Sequence, residues 1–420
     1  MAQPTGHHMA SYRFASVYVD PKGSPIRALY KHLGEPGMIS FAGGYPDPQL
    51  FDEEGLRQAS ERAFANSKGC LEYGATEGTP GLKNEIVRLM HTRGVSTRPE
   101  NIIVTTGSQQ AFDLVLRVMV EKGDRVLVEQ PTYSTNIQAV HAYQANVQSV
   151  PVTADGLDVE ALERMLASAR VSGQLPKLLY TIPNFSNPSG ATMPRERRIR
   201  LLQLAAQYQL LLVEDDPYGG LRFKGEAVPS LMALAGEVPG AQDWVVHLSS
   251  LSKIVAPGLR VGWAVAPVEI LRRCSVAKQS ADVGSSPWTQ SIAAEYLSGG
   301  RMTTHLEHIC AAYGAKCRAL ADGLRRELGE ALAFHEPSGG MFIWARLTGT
   351  VTASELLERA IARGVMFVPG EGFQVDSSDP FTLRLSFATP TLDEVALGTR
   401  RLGEALADAL ARKSPQALPA

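Results

Sequence analysis

Val245-Val246-His247-Leu248-Ser249-Ser250-Leu251-Ser252-Lys253 is the stretch that decides how this chain folds. Val245 to Leu248 reads as a buried strand, and it delivers a serine-rich turn and a lysine at its carboxyl end. Pro257-Gly258-Leu259-Arg260 follows, and a second apolar run occupies Val261–Val265. Three hydroxyls and a guanidinium close to an amine suit an anion with a nucleophile beside it. A solvated loop lysine explains the same letters equally well, so the surroundings must choose.

Working outward, further short apolar runs lie at Ile102–Val104, Val126–Val128, Val147–Val150, Leu178–Tyr180 and Leu210–Val213. Most are separated by amphipathic stretches, of which Gln109–Val120 and Arg195–Tyr208 have helical spacing. Strand-helix alternation predicts an α/β domain with a mainly parallel, seven-stranded sheet covered on both faces. The connection from Leu248 to Val261 is too short for a comfortable helical crossover, so those two strands are expected to run antiparallel.

The C-terminal part has a different texture. Thr352-Ala353-Ser354-Glu355 is a capping box before an apolar-periodic stretch that Gly364 can end. A strand is expected at Val365–Val368. In a second strand Phe381, Leu383, Leu385 and Phe387 alternate with polar residues, which puts Arg384 on the face away from the core. Thr391-Leu392-Asp393-Glu394 caps a last helix. The expected organisation is an N-terminal arm that also contributes to a small α+β domain (1–44), a large domain (45–297) and a C-terminal small domain (298–420).

Composition narrows the function. The 420 residues carry 41 basic and 43 acidic side chains, a net charge of -2 that offers no electrostatic footprint for nucleic acid or anionic membrane. No long uncharged apolar stretch or signal-peptide pattern is evident, which predicts a soluble, cytoplasmic protein acting on small molecules. Cys70, Cys274, Cys310 and Cys317 lack metal or redox spacing and read as reduced, packed thiols. His305 and His308 lie about one helical turn apart without a third ligand, so no metal site is expected.

In open α/β sheets, ligands bind beyond the carboxyl ends of the strands. Thr105-Thr106-Gly107-Ser108-Gln109 after the first run opens a helix whose free N–H groups and serine hydroxyl suit an anion. Glu129-Gln130-Pro131-Thr132-Tyr133 after the second offers a ring that either stacks on a flat heterocycle or fills the core. Pro183-Asn184-Phe185-Ser186-Asn187-Pro188-Ser189-Gly190 is a rigid polar turn. Glu214-Asp215-Asp216-Pro217-Tyr218 supplies acids, one of which can keep a pyridine nitrogen protonated. Together with Lys253 and Arg260 these are the parts of a pyridoxal phosphate site.

With these motifs in that order, the chain resembles the fold type I, class I/II aminotransferases, most closely the branch with the 2-aminoadipate and kynurenine enzymes. The resemblance runs from Ile39-Ser40-Phe41-Ala42-Gly43-Gly44 to Leu383-Arg384-Leu385-Ser386-Phe387. It implies that Lys253 is the Schiff-base lysine and, from the spacing Asp-x-x-Tyr, that Asp215 rather than Asp216 partners the pyridine nitrogen. Tyr218 and Asn187 then contact the ring's phenolic oxygen, while Ser108, Gln109, Ser250 and Arg260 hold the phosphate and Tyr133 stacks on the ring. Tyr73 matches a tyrosine that reaches the phosphate of a neighbouring subunit, which implies a homodimer with shared sites.

The implied activity is transamination in two halves, from an L-amino acid to a 2-oxo acid, with Lys253 as the proton-transfer base and Arg384 gripping the α-carboxylate. Asn187 assists from the other side. Arg27, in Ser24-Pro25-Ile26-Arg27, either receives a side-chain carboxylate, favouring glutamate or 2-aminoadipate, or is a solvated helix residue. Gly44, Tyr45 and Pro46 are expected to line the entrance, where an aromatic also suits aromatic or aliphatic donors. A C–S lyase or decarboxylase on the same fold is the alternative reaction. A ligand-sensing regulator would need an added DNA-binding domain. The acyl-enzyme motif Ser-x-x-Lys at Ser250–Lys253 lacks its companion Ser-Asp-Asn and Lys-Thr-Gly motifs.

Overall fold

The computed structural model describes residues 12–19, 23, 29–376 and 379–413. After a two-residue strand β1 (Ile39–Ser40), the large sheet is built from β2 (Ile102–Thr105), β3 (Arg125–Gln130), β4 (Asn146–Thr153), β5 (Gly156–Leu157), β6 (Leu178–Thr181), β7 (Leu211–Asp215), β8 (Val245–Ser250) and β9 (Gly262–Val265). Their spatial order is β2-β9-β8-β7-β6-β3-β4-β5. All seven expected runs are strands, but the sheet has eight. The extra one, β5, is a short antiparallel return of β4 through Val152↔Leu157 and Thr153↔Gly156, too brief to leave an alternating pattern in the sequence.

β4, β3, β6, β7 and β8 run parallel, and β9 is antiparallel to both β8 and β2. The short Leu248-to-Val261 connection dictates that reversal, as expected. Side-chain alternation sorts each central strand between two cores. Leu178 and Tyr180 of β6, and Leu211 and Val213 of β7, pack on one face with Phe112 and Val115. Leu179 and Leu212 pack on the other with Leu162, Leu201 and Leu204. The helices Ser108–Met119 on one side and Val159–Val171 and Arg195–Tyr208 on the other therefore cover both faces, as a buried parallel sheet requires.

A second, four-stranded antiparallel sheet has the order β10-β11-β14-β13, from β10 (Leu332–Phe334), β11 (Phe342–Leu347), β13 (Val368–Pro369) and β14 (Thr382–Ser386). The predicted strand at Val365–Val368 is divided. Its first half, β12 (Val365–Met366), pairs in parallel with β1, and its second half joins β14. The chain thus uses one apolar run to tie its N-terminal segment to the C-terminal unit. The Thr352/Glu355 capping box is present and starts the helix Ala353–Ala362, with Gly364 beyond it at φ 73°. Thr391 and Glu394 cap the helix Leu392–Lys413 reciprocally.

β14 is internal, flanked by β11 and β13, and all five of its residues are buried. Arg384 is therefore buried, at 1 % exposure, and not on an outer face. Arg384 on this strand faces Asn187 and Ala42, a covered side that period-two alternation cannot distinguish from solvent. Among the described residues no helix is long and apolar enough to cross a membrane, and no cluster of three or more His, Cys, Asp or Glu is placed to hold a metal ion.

Candidate active site

A cavity of about 770 Å³ opens beyond the carboxyl ends of the central strands, and most of the residues singled out above line it. At one end, the turn after β2 leads into the helix Ser108–Met119 through Gly107, whose φ of 82° favours glycine. The backbone of β9 touches this turn directly. A Cβ on Gly262 would lie 2.5 Å from the Gly107 carbonyl carbon and 2.6 Å from Ser108 N. Arg260, in a left-handed conformation at φ 52°, donates from Nη2 to Thr106 O at 3.1 Å. Ser250 Oγ accepts from Ser252 N–H at 3.0 Å and lies 2.8 Å from Ser252 Oγ. Ser108, Gln109, Ser250, Ser252 and Arg260 all line this end. Helix-terminal N–H groups, hydroxyls and a guanidinium make a donor set for a phosphate dianion.

The three consecutive acids at the end of β7 separate by direction. Glu214 turns to the opposite face, where it accepts from Leu231 N and Met232 N and pairs with buried His247 at 2.8 Å. Asp216 Oδ1 accepts from Asn184 Nδ2 at 3.1 Å. Only Asp215 lines the cavity. Its Oδ2 accepts from the Tyr180 hydroxyl at 2.6 Å, and its buried Oδ1 has no hydrogen-bond partner among the described residues. Burial pushes the Asp215 carboxyl up to about 6; the Tyr180 hydrogen bond opposes this and the neighbouring Asp216 adds to it. An N–H donor carrying positive charge, such as a protonated pyridine nitrogen, is what this orphaned oxygen lacks. The donors at one end of the cavity and the carboxylate acceptor at the other therefore fit pyridoxal phosphate.

Lys253 sits in the turn after β8, and its Nζ donates to Gly44 O at 2.9 Å. Burial lowers its amine to about 8, helped by Arg384 and Arg260, while Asp215 pulls the other way. Asn187 joins both sides of the cavity. Its Oδ1 accepts from Arg384 Nη1 at 2.8 Å, and its Nδ2 reaches the Tyr218 hydroxyl at 3.4 Å. The Arg384 Nη2 donates to Ala42 O at 2.7 Å, and its guanidinium lies 4.3 Å from the Phe342 ring centroid and 4.8 Å from that of Phe373. Two ring faces and two anchored nitrogens hold the fork in one plane. Burial raises the Tyr218 phenol above its ordinary value.

Tyr133, half-buried at the start of the helix Ser134–Ala142, lines the cavity, as do Gly44 and Tyr45. A Cβ on Gly44 would meet Phe342 Cζ at 2.9 Å, so a side chain is excluded there. Pro46, expected at the entrance, is buried and lies outside the lining. Tyr73 is 86 % exposed and does not line the cavity of its own chain. Arg27 lies outside the described residues. His305 is a packed residue, edge-on to Tyr296. Tyr180 was read only as part of a strand, and Ile182, Phe342, Thr135 and Gln138 were not singled out, yet all five line the site. The signal for Tyr180 was present in its place near the end of a strand beside the one that ends in Asp215.

The family profile described as "Aminotransferase class I and II" matches residues 42–402. The chain is 40 % identical to a 2-aminoadipate transaminase of Thermus thermophilus over 93 % of its own length and 95 % of the relative's. It is 36 % identical to an aromatic-amino-acid aminotransferase of Thermococcus litoralis, covering 94 % of both chains. A solved kynurenine aminotransferase of Pyrococcus horikoshii, in complex with PMP, superposes with a TM-score of 0.89 at 36 % identity, over 94 % of this chain and 97 % of that one. The chain belongs to the class I and II aminotransferases, and it is a pyridoxal phosphate-dependent enzyme of transamination.

Proposed function

We propose that this aminotransferase takes 2-aminoadipate, glutamate, or an aromatic or aliphatic L-amino acid as donor and 2-oxoglutarate or pyruvate as acceptor. One observation carries the reading: Lys253, Asp215 and Arg384, from three separate parts of the chain, converge on a single cavity with a phosphate-type donor set at one end. When bound, pyridoxal phosphate supplies a sink for the electron pair left when a bond to the substrate's α-carbon breaks. The remaining work falls to side chains. Lys253 would hold the cofactor, and its Nζ, when free, would take the proton from the substrate α-carbon. An amine at about 8 is partly unprotonated near neutral pH, which an ordinary lysine is not.

Asp215 presents Oδ1 to the ring nitrogen, and Tyr218 and Asn187 orient the phenolic oxygen. Ser108, Gln109, Ser250 and Arg260 bind the phosphate, Tyr133 stacks on the ring, and Arg384 with Asn187 binds the α-carboxylate. The relatives' names support acidic and aromatic donors alike. Tyr45 and Gly44 contact the donor's side chain, and Arg27 receives a distal carboxylate if there is one.

The exposure of Tyr73 suits a homodimer in which it completes the partner's phosphate site. The division into 1–44, 45–297 and 298–420, and a cytoplasmic location, belong to the same proposal. The test is a panel of amino donors and 2-oxo acids with the cofactor-loaded protein, following keto-acid formation. Donor-dependent keto acid that requires an acceptor is the expected result. Ammonia and pyruvate released without an acceptor would instead identify a lyase. Arg27→Ala should lower the preference for acidic over neutral donors, and an unchanged preference removes Arg27 from the site.

A further inference from the structure

Glu129 is the next-to-last residue of β3 and is 1 % exposed, yet it does not line the cavity. It is a buried carboxyl that the transamination chemistry does not use. Its Oε1 accepts from Ile182 N–H at 3.1 Å and from the Thr181 hydroxyl, and its Oε2 accepts from Ser186 Oγ at 3.1 Å. Thr181 ends β6, and Ile182 and Ser186 belong to the turn that follows. One carboxyl therefore pins a strand end and its loop to the neighbouring strand. A buried carboxyl is costly, so three converging donors argue for a position that needs holding.

The loop it holds has its own reason to need support. Phe185 occupies a left-handed conformation at φ 49°, which a residue with a bulky side chain adopts only under constraint. Ser186 N–H donates to Ala191 O at 2.9 Å, and the next residue is Asn187. Asn187 Oδ1 in turn receives Arg384 Nη1. The path from Glu129 to Arg384 is short and continuous: carboxylate, Ser186 hydroxyl, one peptide, Asn187 amide, guanidinium. We propose that Glu129 is a positioning residue that, through Ser186, holds Asn187 against Arg384 and so sets the strength of α-carboxylate binding. This rests on the reading of Arg384 as the carboxylate-binding residue.

The test uses the cofactor-loaded enzyme and measures two things. One is the dissociation constant of unreactive carboxylates, glutarate and 3-phenylpropionate, by spectral titration. The other is KM and kcat for the preferred donor. Glu129→Ala and Ser186→Ala should each weaken carboxylate binding and raise KM by roughly tenfold, about the value of one hydrogen bond, with a smaller change in kcat. The double variant should be no worse than either single one, because both cut the same path. Glu129→Gln should restore most of the binding, since its amide can accept from Ile182 N–H and donate to Ser186 Oγ. A Glu129→Ala or Ser186→Ala enzyme that melts earlier but keeps its carboxylate affinity and KM overturns the proposal, as do effects that multiply in the double variant. Ser186→Ala alone decides the matter if Glu129→Ala fails to fold. Arg384→Lys separates the two layers: if it leaves carboxylate affinity unchanged, the reading of Arg384 itself falls, whereas a loss there with silent Glu129 and Ser186 variants removes only the positioning path.

Discussion

Replacing Asp215 by Asn should stabilise the cofactor-free protein while weakening its hold on the cofactor. The carboxyl is 6 % exposed, accepts one hydrogen bond from Tyr180 and leaves Oδ1 unpaired. A folded-state value of about 6 in place of 3.8 makes its ionisation harder by roughly 3 kcal/mol. Because the folded value is the higher one, this carboxyl favours the folded state most below about pH 4. That contribution is lost as the pH rises through about 6. An amide cannot ionise, is nearly isosteric and can still accept from Tyr180. At pH 8 the cofactor-free Asp215→Asn protein should therefore be more stable than the parent, by up to about 3 kcal/mol in urea unfolding at fixed protomer concentration. Near pH 4 the two should converge. With pyridoxal phosphate bound that advantage should shrink or disappear, because the charge-assisted bond to the ring nitrogen is lost, worth about 1.5–3 kcal/mol or roughly 10- to 100-fold in dissociation constant. A cofactor-free variant less stable than the parent at pH 8, or one that binds the cofactor as tightly, would refute the reasoning.

Three further outcomes are expected. The rate at which the cofactor-free protein captures pyridoxal phosphate as a borohydride-fixable adduct should rise with pH through about 8, since only the neutral Lys253 amine attacks, and Lys253→Ala should form no such adduct at that position. Tyr180→Phe removes the hydrogen bond that lowers the Asp215 pKa, so the pH at which cofactor affinity falls off on acidification should move upward; an unmoved profile in a fluorescence titration would show that the bond is idle. Gly262→Ala drives a methyl into the backbone at Gly107 and Ser108, so about 1–3 kcal/mol of stability should be lost in urea unfolding, together with phosphate affinity measured by competition with inorganic phosphate.

Much of the site was legible because its residues sit at one kind of place, the carboxyl end of a strand that can be read from its own apolar run. Asp215 after β7 and Lys253 after β8 follow from that rule, and their strands were found within a residue or two of their actual ends. Choosing Asp215 over Glu214 and Asp216 needed more. In a strand, neighbours point to opposite faces, but which face holds the ligand depends on what the helices and the second sheet cover. The structure answers by giving Glu214 to Leu231, Met232 and His247, and Asp216 to Asn184. The strand β5 and the division of Val365–Val368 were invisible because two residues cannot display a period.

By itself the sequence determined the α/β class, the antiparallel turn-back at Leu248–Val261, the helix caps at Thr352 and Thr391, and which residue types stand at each strand end. These are local matters, set by side-chain periodicity, connection length and capping within a few residues. Only the tertiary structure decided that Arg384 is buried between Phe342 and Phe373, that Tyr180 orients Asp215, and that Glu129 reaches Ser186 across a strand boundary. The Tyr180–Asp215 and Glu129–Ser186 contacts join residues 35 and 57 positions apart, and the burial of Arg384 turns on rings carried by two other segments. Such contacts arise when sheets and helices exclude water from a shared space, and no local pattern records which partner will be found there.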